Sequence, residues 1–273
     1  MAGFAVEDLF LKIAARSLPV GEVLIVFGAG GMAAFAVLAR RRGDRVLSPA
    51  ILSRPILLRA VFEMAGRLFH TLALAAVPLA LVSTLLQATP LVVVAGAALL
   101  FGERVGWRRW AAIAVGFVGV LIVLRPGTEA FSAAALLAVA GMAGFAGRDL
   151  ATRAAPPAMS SLALGVYGFA AMVPAGAAVL AATGTAPVMP GAGAAAALAG
   201  ATVVGVGAYY ALTQAMRSGE VSVVTPFRYT RLLFGVALAA ALLGERIDGA
   251  TILGSLLIVG SGLYTLWRAR RAG

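Results

Sequence analysis

Stretches of about twenty mostly apolar residues follow one another along the whole chain. Short breaks rich in arginine, glycine and proline separate them, as in Arg40-Arg41-Arg42-Gly43-Asp44-Arg45 and Arg125-Pro126-Gly127-Thr128-Glu129. This pattern predicts ten helices, at about residues 1–16, 19–39, 55–76, 80–101, 106–124, 130–150, 159–182, 193–216, 220–243 and 249–267. At a rise of 1.5 Å per residue, about 20 residues cross a hydrocarbon core of roughly 30 Å. The predicted fold class is therefore all-α, a polytopic membrane protein with ten transmembrane helices.

A repeat divides the chain. Gly102-Glu103-Arg104 closes one apolar stretch and opens another, and Gly244-Glu245-Arg246 does the same much later. Small residues follow each copy at similar depth, Gly116 and Gly119 in one and Gly254, Gly260 and Gly262 in the other. The turn at Arg125–Glu129 separates a first half, residues 1–126, from a second, 127–273. Five helices per half is an odd number, so the second half enters the membrane from the opposite side, and two inverted five-helix repeats are expected.

Composition agrees with a membrane protein: 62% of residues are hydrophobic and 12% charged. No short charged and apolar leader with a small-residue cleavage site precedes the first segment, so a processed secretory product is not expected. The absence of cysteine excludes disulfides and thiolate metal sites. The net charge of +11 comes almost wholly from arginine, placed at the ends of spans rather than in a nucleic-acid-binding patch. With a cytoplasmic amino terminus, the inner connections and tail hold Arg40, Arg41, Arg42, Arg45, Arg54, Arg104, Arg108, Arg109, Arg148, Arg153, Arg217, Arg268, Arg270 and Arg271. The outer connections hold only Lys12, Arg16, Arg125 and Arg246. That bias predicts both termini in the cytoplasm, with Trp107, Trp110 and Trp267 as interfacial anchors.

The segment Leu100-Phe-Gly-Glu-Arg-Val-Gly-Trp-Arg-Arg-Trp110 and its following helix resemble the EamA family of the drug/metabolite transporter superfamily. Thr225-Pro-Phe-Arg-Tyr-Thr-Arg231 leading to Gly244-Glu245-Arg246 does too, so the resemblance covers both halves. It implies ten helices in two inverted repeats around a central cavity, carrying small organic solutes without ATP. Members of that family export amino acids and amines or import compounds such as riboflavin and S-adenosylmethionine. The family's first helix is full length, whereas residues 1–12 here resemble the second half of one, and a start upstream of Met1 is expected.

Transport chemistry is sought in polar residues that the bilayer should exclude. In the third helix Arg59, Glu63, Arg67 and His70 recur at spacings that keep them within an arc of about 80°. Counting from Pro55 places Glu63 about 12 Å and Arg67 about 18 Å deep, near the midplane where carriers bind substrate. In the ninth helix Thr225, Arg228 and Arg231 share a face beside Tyr229, and Pro226 predicts a kink. Ser83, Gln87 and Pro90 form a comparable stripe in the fourth, and Tyr209, Tyr210, Thr213 and Gln214 enrich the eighth. The candidate substrate-binding residues are thus Arg67, Arg228, Arg231, Gln87, Tyr209, Tyr210 and Tyr229, with Glu63, His70 and Asp8 for ion coupling.

Each group also has a plainer reading. Arg59 and Glu63 are spaced for an intrahelical ion pair, with Arg59 snorkelling to the cytoplasmic surface. Arg67, Arg228 and Arg231 have structural partners available in Glu63, Glu7, Asp8 and Asp149, and His70 can be a satisfied buried histidine. Tyr209 and Tyr210 are adjacent, so at most one faces a cavity. Gly141, Gly144 and Gly147 fit close helix packing, and Glu103 and Glu245 fit capping or pairing at span ends.

A secondary carrier accounts for the repeat and the mid-depth charges. It moves a small organic metabolite by alternating access, an anionic or zwitterionic solute such as an amino acid, or alternatively riboflavin or another vitamin-like or nucleoside-like compound. No catalytic motif, metal-ligand set, cofactor or Gly-x-x-x-x-Gly-Lys loop is present in the sequence, which weighs against a membrane-embedded enzyme. The expected partners are the substrate and the lipid bilayer of the cytoplasmic membrane, not nucleic acid, and the chain is expected to be a monomer or homodimer.

The topology is directly testable. Reporter fusions after Arg42, Arg109, Arg153 and Arg217 and at the carboxyl end are expected to report cytoplasm, and fusions near Pro78, Thr128, Thr185 and Asp248 the outside. Arg153 and Asp248 on one side would refute the inversion.

Overall fold

The computed structural model describes residues 1–46, 53–103, 105–129, 131–153, 160–218 and 227–272. Among these residues the regular structure is all helical, in twelve segments. They are α1 (Ala2–Ala14), α2 (Val20–Arg42), α3 (Arg54–Ala76), α4 (Leu79–Leu86), α5 (Thr89–Phe101), α6 (Trp107–Leu124), α7 (Ala135–Arg153), α8 (Ser161–Ala170), α9 (Met172–Thr183), α10 (Ala192–Ser218), α11 (Thr230–Leu243) and α12 (Gly249–Ala272). Leu79–Phe101 and Ser161–Thr183 each make one apolar span in two pieces, so the segments form the ten helices expected.

The interruption of the fourth span has a local cause. Pro90 has no N–H to give the carbonyl of Leu86, and its ring crowds that carbonyl. The backbone loosens at Gln87 and Ala88, and the Thr89 hydroxyl donates to Leu86 O at 2.5 Å instead. The two Gly-Glu endings share one geometry. Gly102 and Gly244 take φ of +67° and +66°, a left-handed cap that glycine reaches without penalty. The next N–H closes back on the helix in both, Glu103 to Ala97 O and Glu245 to Ala239 O. Past the second ending, Asp248 caps α12 by accepting the Thr251 N–H at 2.8 Å, and that bond holds its carboxyl below the usual carboxylate range.

Besides an apolar core, the protein exposes large apolar side chains and buries charged ones, the reverse of the surface of a water-soluble protein. Leu99, Val203 and Leu233 are 76%, 73% and 69% exposed, whereas Glu63 is 0% exposed. Six spans are long and apolar enough to cross a membrane. The helices that fall outside this group, α1, α3, α7 and α11, are the short ones or those carrying internal charges. These are the four that meet in the centre. α3 lies along α7, α1 along α10 and against α11, and α4 and α5 contact α7, with α4 also on α11. α2 with α8 and α9, and α6 with α12, flank them.

The α3–α7 contact is a glycine seam, as Gly141, Gly144 and Gly147 suggested. A Cβ at Gly144 would lie 2.5 Å from the Gly66 backbone nitrogen, one at Gly141 2.9 Å from the His70 nitrogen, and one at Gly147 2.4 Å from the Phe62 ring. At Gly141 and Gly144 the neighbour is backbone, which cannot rotate away. Gly144→Ala is therefore expected to destabilise the detergent-solubilised protein by about 1–3 kcal/mol, by analogy with overpacked cores. Gly207→Ala, where a Cβ meets nothing within 4 Å, is expected to be neutral or stabilising by up to about 1 kcal/mol. Equal melting temperatures for the two variants would contradict the seam.

Candidate functional site

Helix α3 turns one face inward, and Arg59, Glu63, Arg67 and His70 are all buried on it together with Gly66. The predicted stripe is thus a single buried surface, and the glycine seam brings the charges of α7 against it. Glu63 sits at the hub. Arg148 of α7 donates to its Oε1 at 3.3 Å, Arg67 Nε approaches the same oxygen at 3.5 Å, and Arg59 Nη2 lies 3.5 Å from Oε2. A carboxylate this deep needs such company, because isolated charge in a low dielectric is costly.

From the hub the network runs outward through every central helix. Arg67 also donates to Glu7 of α1 at 2.5 Å, and its guanidinium stands over the rings of Phe27, Phe145 and Phe169 at 5.9, 5.9 and 5.5 Å. The neighbouring Asp8 lies 2.9 Å from His70 Nε2 and accepts from Arg231 of α11 at 2.5 and 3.1 Å. Arg148 donates to Asp149 at 2.8 Å, and Asp149 accepts from Arg228 at 2.9 Å. Five guanidiniums therefore face four carboxylates. Among the described residues, Glu7 Oε2, Glu63 Oε2, Arg67 Nε and His70 Nδ1 are buried without a hydrogen-bond partner.

Of the residues singled out by sequence, Asp8, Glu63, Arg67, His70, Arg228 and Arg231 belong to this network, the last two through Asp149 and Asp8. Tyr209 joins it by accepting from Arg59 Nη2 at 2.7 Å. Gln87 and Tyr229 meet at the break in the fourth span, where the Gln87 amide donates to the backbone carbonyls of Tyr229 at 3.1 Å and Arg228 at 3.3 Å. Tyr210 points elsewhere and takes a hydrogen bond from Arg42. Thr225 and Pro226, with the kink expected there, lie outside the described residues.

Two readings are corrected. Arg59 does not snorkel to the surface: it is 6% exposed, and besides Tyr209 its Nε donates to Thr152 Oγ1 at 3.1 Å. Arg148, counted among the connections, is inside α7 on Glu63. The adjacent pair Arg148-Asp149 near the end of a glycine-striped helix was the available signal for it. The aromatic residues around Arg67 carried no such signal, since Phe27, Phe145 and Phe169 are indistinguishable in sequence from ordinary core residues.

The inner part of the cluster is closed to solvent, with Glu7, Asp8, Glu63, Arg67 and His70 each no more than 5% exposed, whereas Arg148, Asp149, Arg228 and Arg231 at its margin are half-buried. Two shallow grooves lie away from it. One runs between α6 and α12 past Trp107, Ala112 and Ser261, the other beside α2 and α10 at Val26, Leu198 and Thr202.

The comparisons with known proteins agree with a transporter. Residues 1–125 and again 132–267 match the sequence model of the EamA-like transporter family. A riboflavin transporter of Rhizobium johnstonii is 30% identical over 77% of this chain and 69% of its own length. One of Vibrio cholerae is 29% identical over 69% and 63%. An S-adenosylmethionine uptake transporter of Rickettsia prowazekii is 23% identical over 81% and 74%. A solved crystal structure, 19% identical, superposes with a TM-score of 0.65 over 97% of this chain and 98% of that one, a likeness of fold. Matched by the family pattern in both halves, this chain belongs to the EamA-like transporter family.

Proposed function

We propose that the chain is a secondary carrier of the cytoplasmic membrane that moves a small anionic or zwitterionic organic metabolite by alternating access of two inverted five-helix repeats, residues 1–126 and 127–273. The observation that carries this reading is the central network itself. Five arginines, two buried and three half-buried, against four carboxylates leave one positive charge in excess when His70 is neutral, which a solute carboxylate would balance. Among the described residues four polar atoms of the cluster have no hydrogen-bond partner, although Glu63 Oε2 and Arg67 Nε still stand in ion-pair contact, and a network so incompletely hydrogen-bonded is suited to exchanging pairs rather than holding one arrangement.

The helix packing supports the repeat. Numbering the spans one to ten and shifting by five carries the third–sixth contact, α3 on α7, onto the eighth–first contact, α10 on α1. The same shift carries first on ninth, α1 on α11, onto sixth on fourth, α7 on α4 and α5. A relation of this kind lets the two halves rock about a site they share. Asp8 with Arg231, and Arg228 with Asp149, are the candidates for pairs that re-form. The arginine bias supports a cytoplasmic position for both termini.

Riboflavin uptake is the second reading, favoured by two relatives named riboflavin transporters. A flat, nearly neutral ring would use Tyr209 and the phenylalanines around Arg67 rather than the guanidiniums. Proteoliposomes holding the purified protein separate the two: saturable uptake of labelled amino acid or related acid supports the first, of riboflavin the second, and uptake of neither class overturns both.

Substitutions then locate the site. Arg67→Lys and Arg228→Lys are expected to reduce uptake of an anionic substrate at least about tenfold despite retained charge, because the planar donor fork is lost. Glu63→Gln is expected to abolish gradient-driven accumulation while counterflow exchange persists, since exchange needs no net proton movement. Normal transport by all three folded variants would make the network structural.

A further inference from the structure

At the face where α1 ends and α4 begins, four elements are tied together by two side chains. Lys12, near the end of α1, donates its ammonium to Leu74 O at 2.9 Å and Val77 O at 2.6 Å, the carbonyls that close α3. Glu245, in the turn between α11 and α12, accepts the Leu79 N–H at 2.8 Å on Oε1 and the Ala80 N–H at 3.0 Å on Oε2, the first donors of α4. Lys12 Nζ and Glu245 Oε1 are 3.9 Å apart, with side chains only 12% and 14% exposed. Helix ends leave carbonyls unpaired at the carboxyl terminus and N–H groups unpaired at the amino terminus, with matching partial charges. Lys12 and Glu245 each meet the end of opposite polarity, so charges alternate across the Val77–Pro78 turn.

Position gives this arrangement a role. Lys12 lies four residues along α1 from Asp8, and Leu74 four residues along α3 from His70, about 6 Å in each case. Asp8 and His70 are themselves in contact, so the tie lies one helical turn from the network, toward this face. It joins α1, α3 and α4 to a turn of the second half, which Asp248 also fastens to Arg125. Just below, α4 and α11 are in close contact, for a Cβ at Gly235 would fall 2.4 Å from Ser83 Oγ.

We infer that Lys12 and Glu245 are positioning residues of the transport cycle: a latch that seals the central network at this face and must break for the face to open. The inference rests on the alternating-access reading but concerns the opening itself. The Gly-Glu ending of the repeat thereby gains a function beyond ending a helix. Its glycine turns the chain so that the following carboxylate reaches a helix amino terminus in the other half of the molecule.

The absence of cysteine allows a direct test. Ser83, buried with a hydroxyl that has no hydrogen-bond partner among the described residues, is replaced by Ser83→Cys as a reporter of the α4–α11 gap. Its reaction with a membrane-impermeant methanethiosulfonate is followed in right-side-out and inside-out vesicles. Glu245→Ala and Lys12→Met are each expected to speed labelling at least about tenfold from one side only, given the strength of hydrogen bonds to charged groups. Glu245→Gln, which keeps one acceptor, should lie between. Unchanged rates in all three folded variants overturn the latch, and so does a rise from both sides, which signals general loosening. One-sided opening without any solute uptake in proteoliposomes would leave the latch standing and remove the transport reading.

Discussion

A charge buried in a bilayer has to be matched by another charge, and Glu63 is where that requirement is concentrated. It is wholly buried, and three arginines from two helices converge on it. The ion pair between Arg148 and Glu63 accompanies a close approach of α3 and α7, whose backbones nearly touch at Gly66 and Gly144. The glycines at 66, 141, 144 and 147 make that possible. The same requirement recruits α1 through Glu7 and Asp8, and α11 through Arg231. The interior of this protein thus sets ion pairs and glycine contacts within an apolar core of residues such as Phe27, Leu74, Leu85 and Phe169, while further apolar side chains such as Leu99, Val203 and Leu233 cover the outside.

Such a core is costly as a purely structural device, because well-packed apolar residues of similar volume often do as well as buried ion pairs. On the proposed carrier reading, what it offers is bistability. Asp8, His70 and Arg231 join α1, α3 and α11 through contacts of 2.5–3.1 Å that can be exchanged for others when helices shift. Membership of a transporter family and the placement of these pairs across the two halves give that exchange a purpose. The turn at Glu245 extends the same logic to the membrane face, with helix ends as the fixed charges.

Much of this was legible in the sequence because membrane constraints act locally. Span length follows from bilayer thickness, so all ten helices could be placed. A 3.6-residue period gathered Arg59, Glu63, Arg67 and His70 onto one face, and glycine spacing marked the seam of α7. Partner identity was a different matter. Arg148 stands near the end of its helix and was counted with the connections, although its guanidinium reaches inward to Glu63. Arg59 looked able to reach the surface, but Tyr209 and Thr152, far away in sequence, hold it inside. The contacts of Glu245 with Leu79 and Ala80 span 166 and 165 residues, and no local pattern encodes them. The apolar pattern predicts the fourth span as one helix over 80–101, with Pro90 only as part of a polar stripe, whereas the helix breaks at Gln87 ahead of Pro90 and Thr89 satisfies the freed carbonyl.

The central claim is that the buried network is where a solute is bound and carried. Its most direct test compares the small-molecule contents of cells carrying the intact chain with those of cells carrying Asp8→Asn, at equal levels of folded membrane protein. The claim predicts that at least one small organic metabolite differs in its distribution between cell and medium, and that purified protein reproduces the difference in vesicles. Identical metabolite distributions in the two strains, with both proteins folded and inserted, would contradict it.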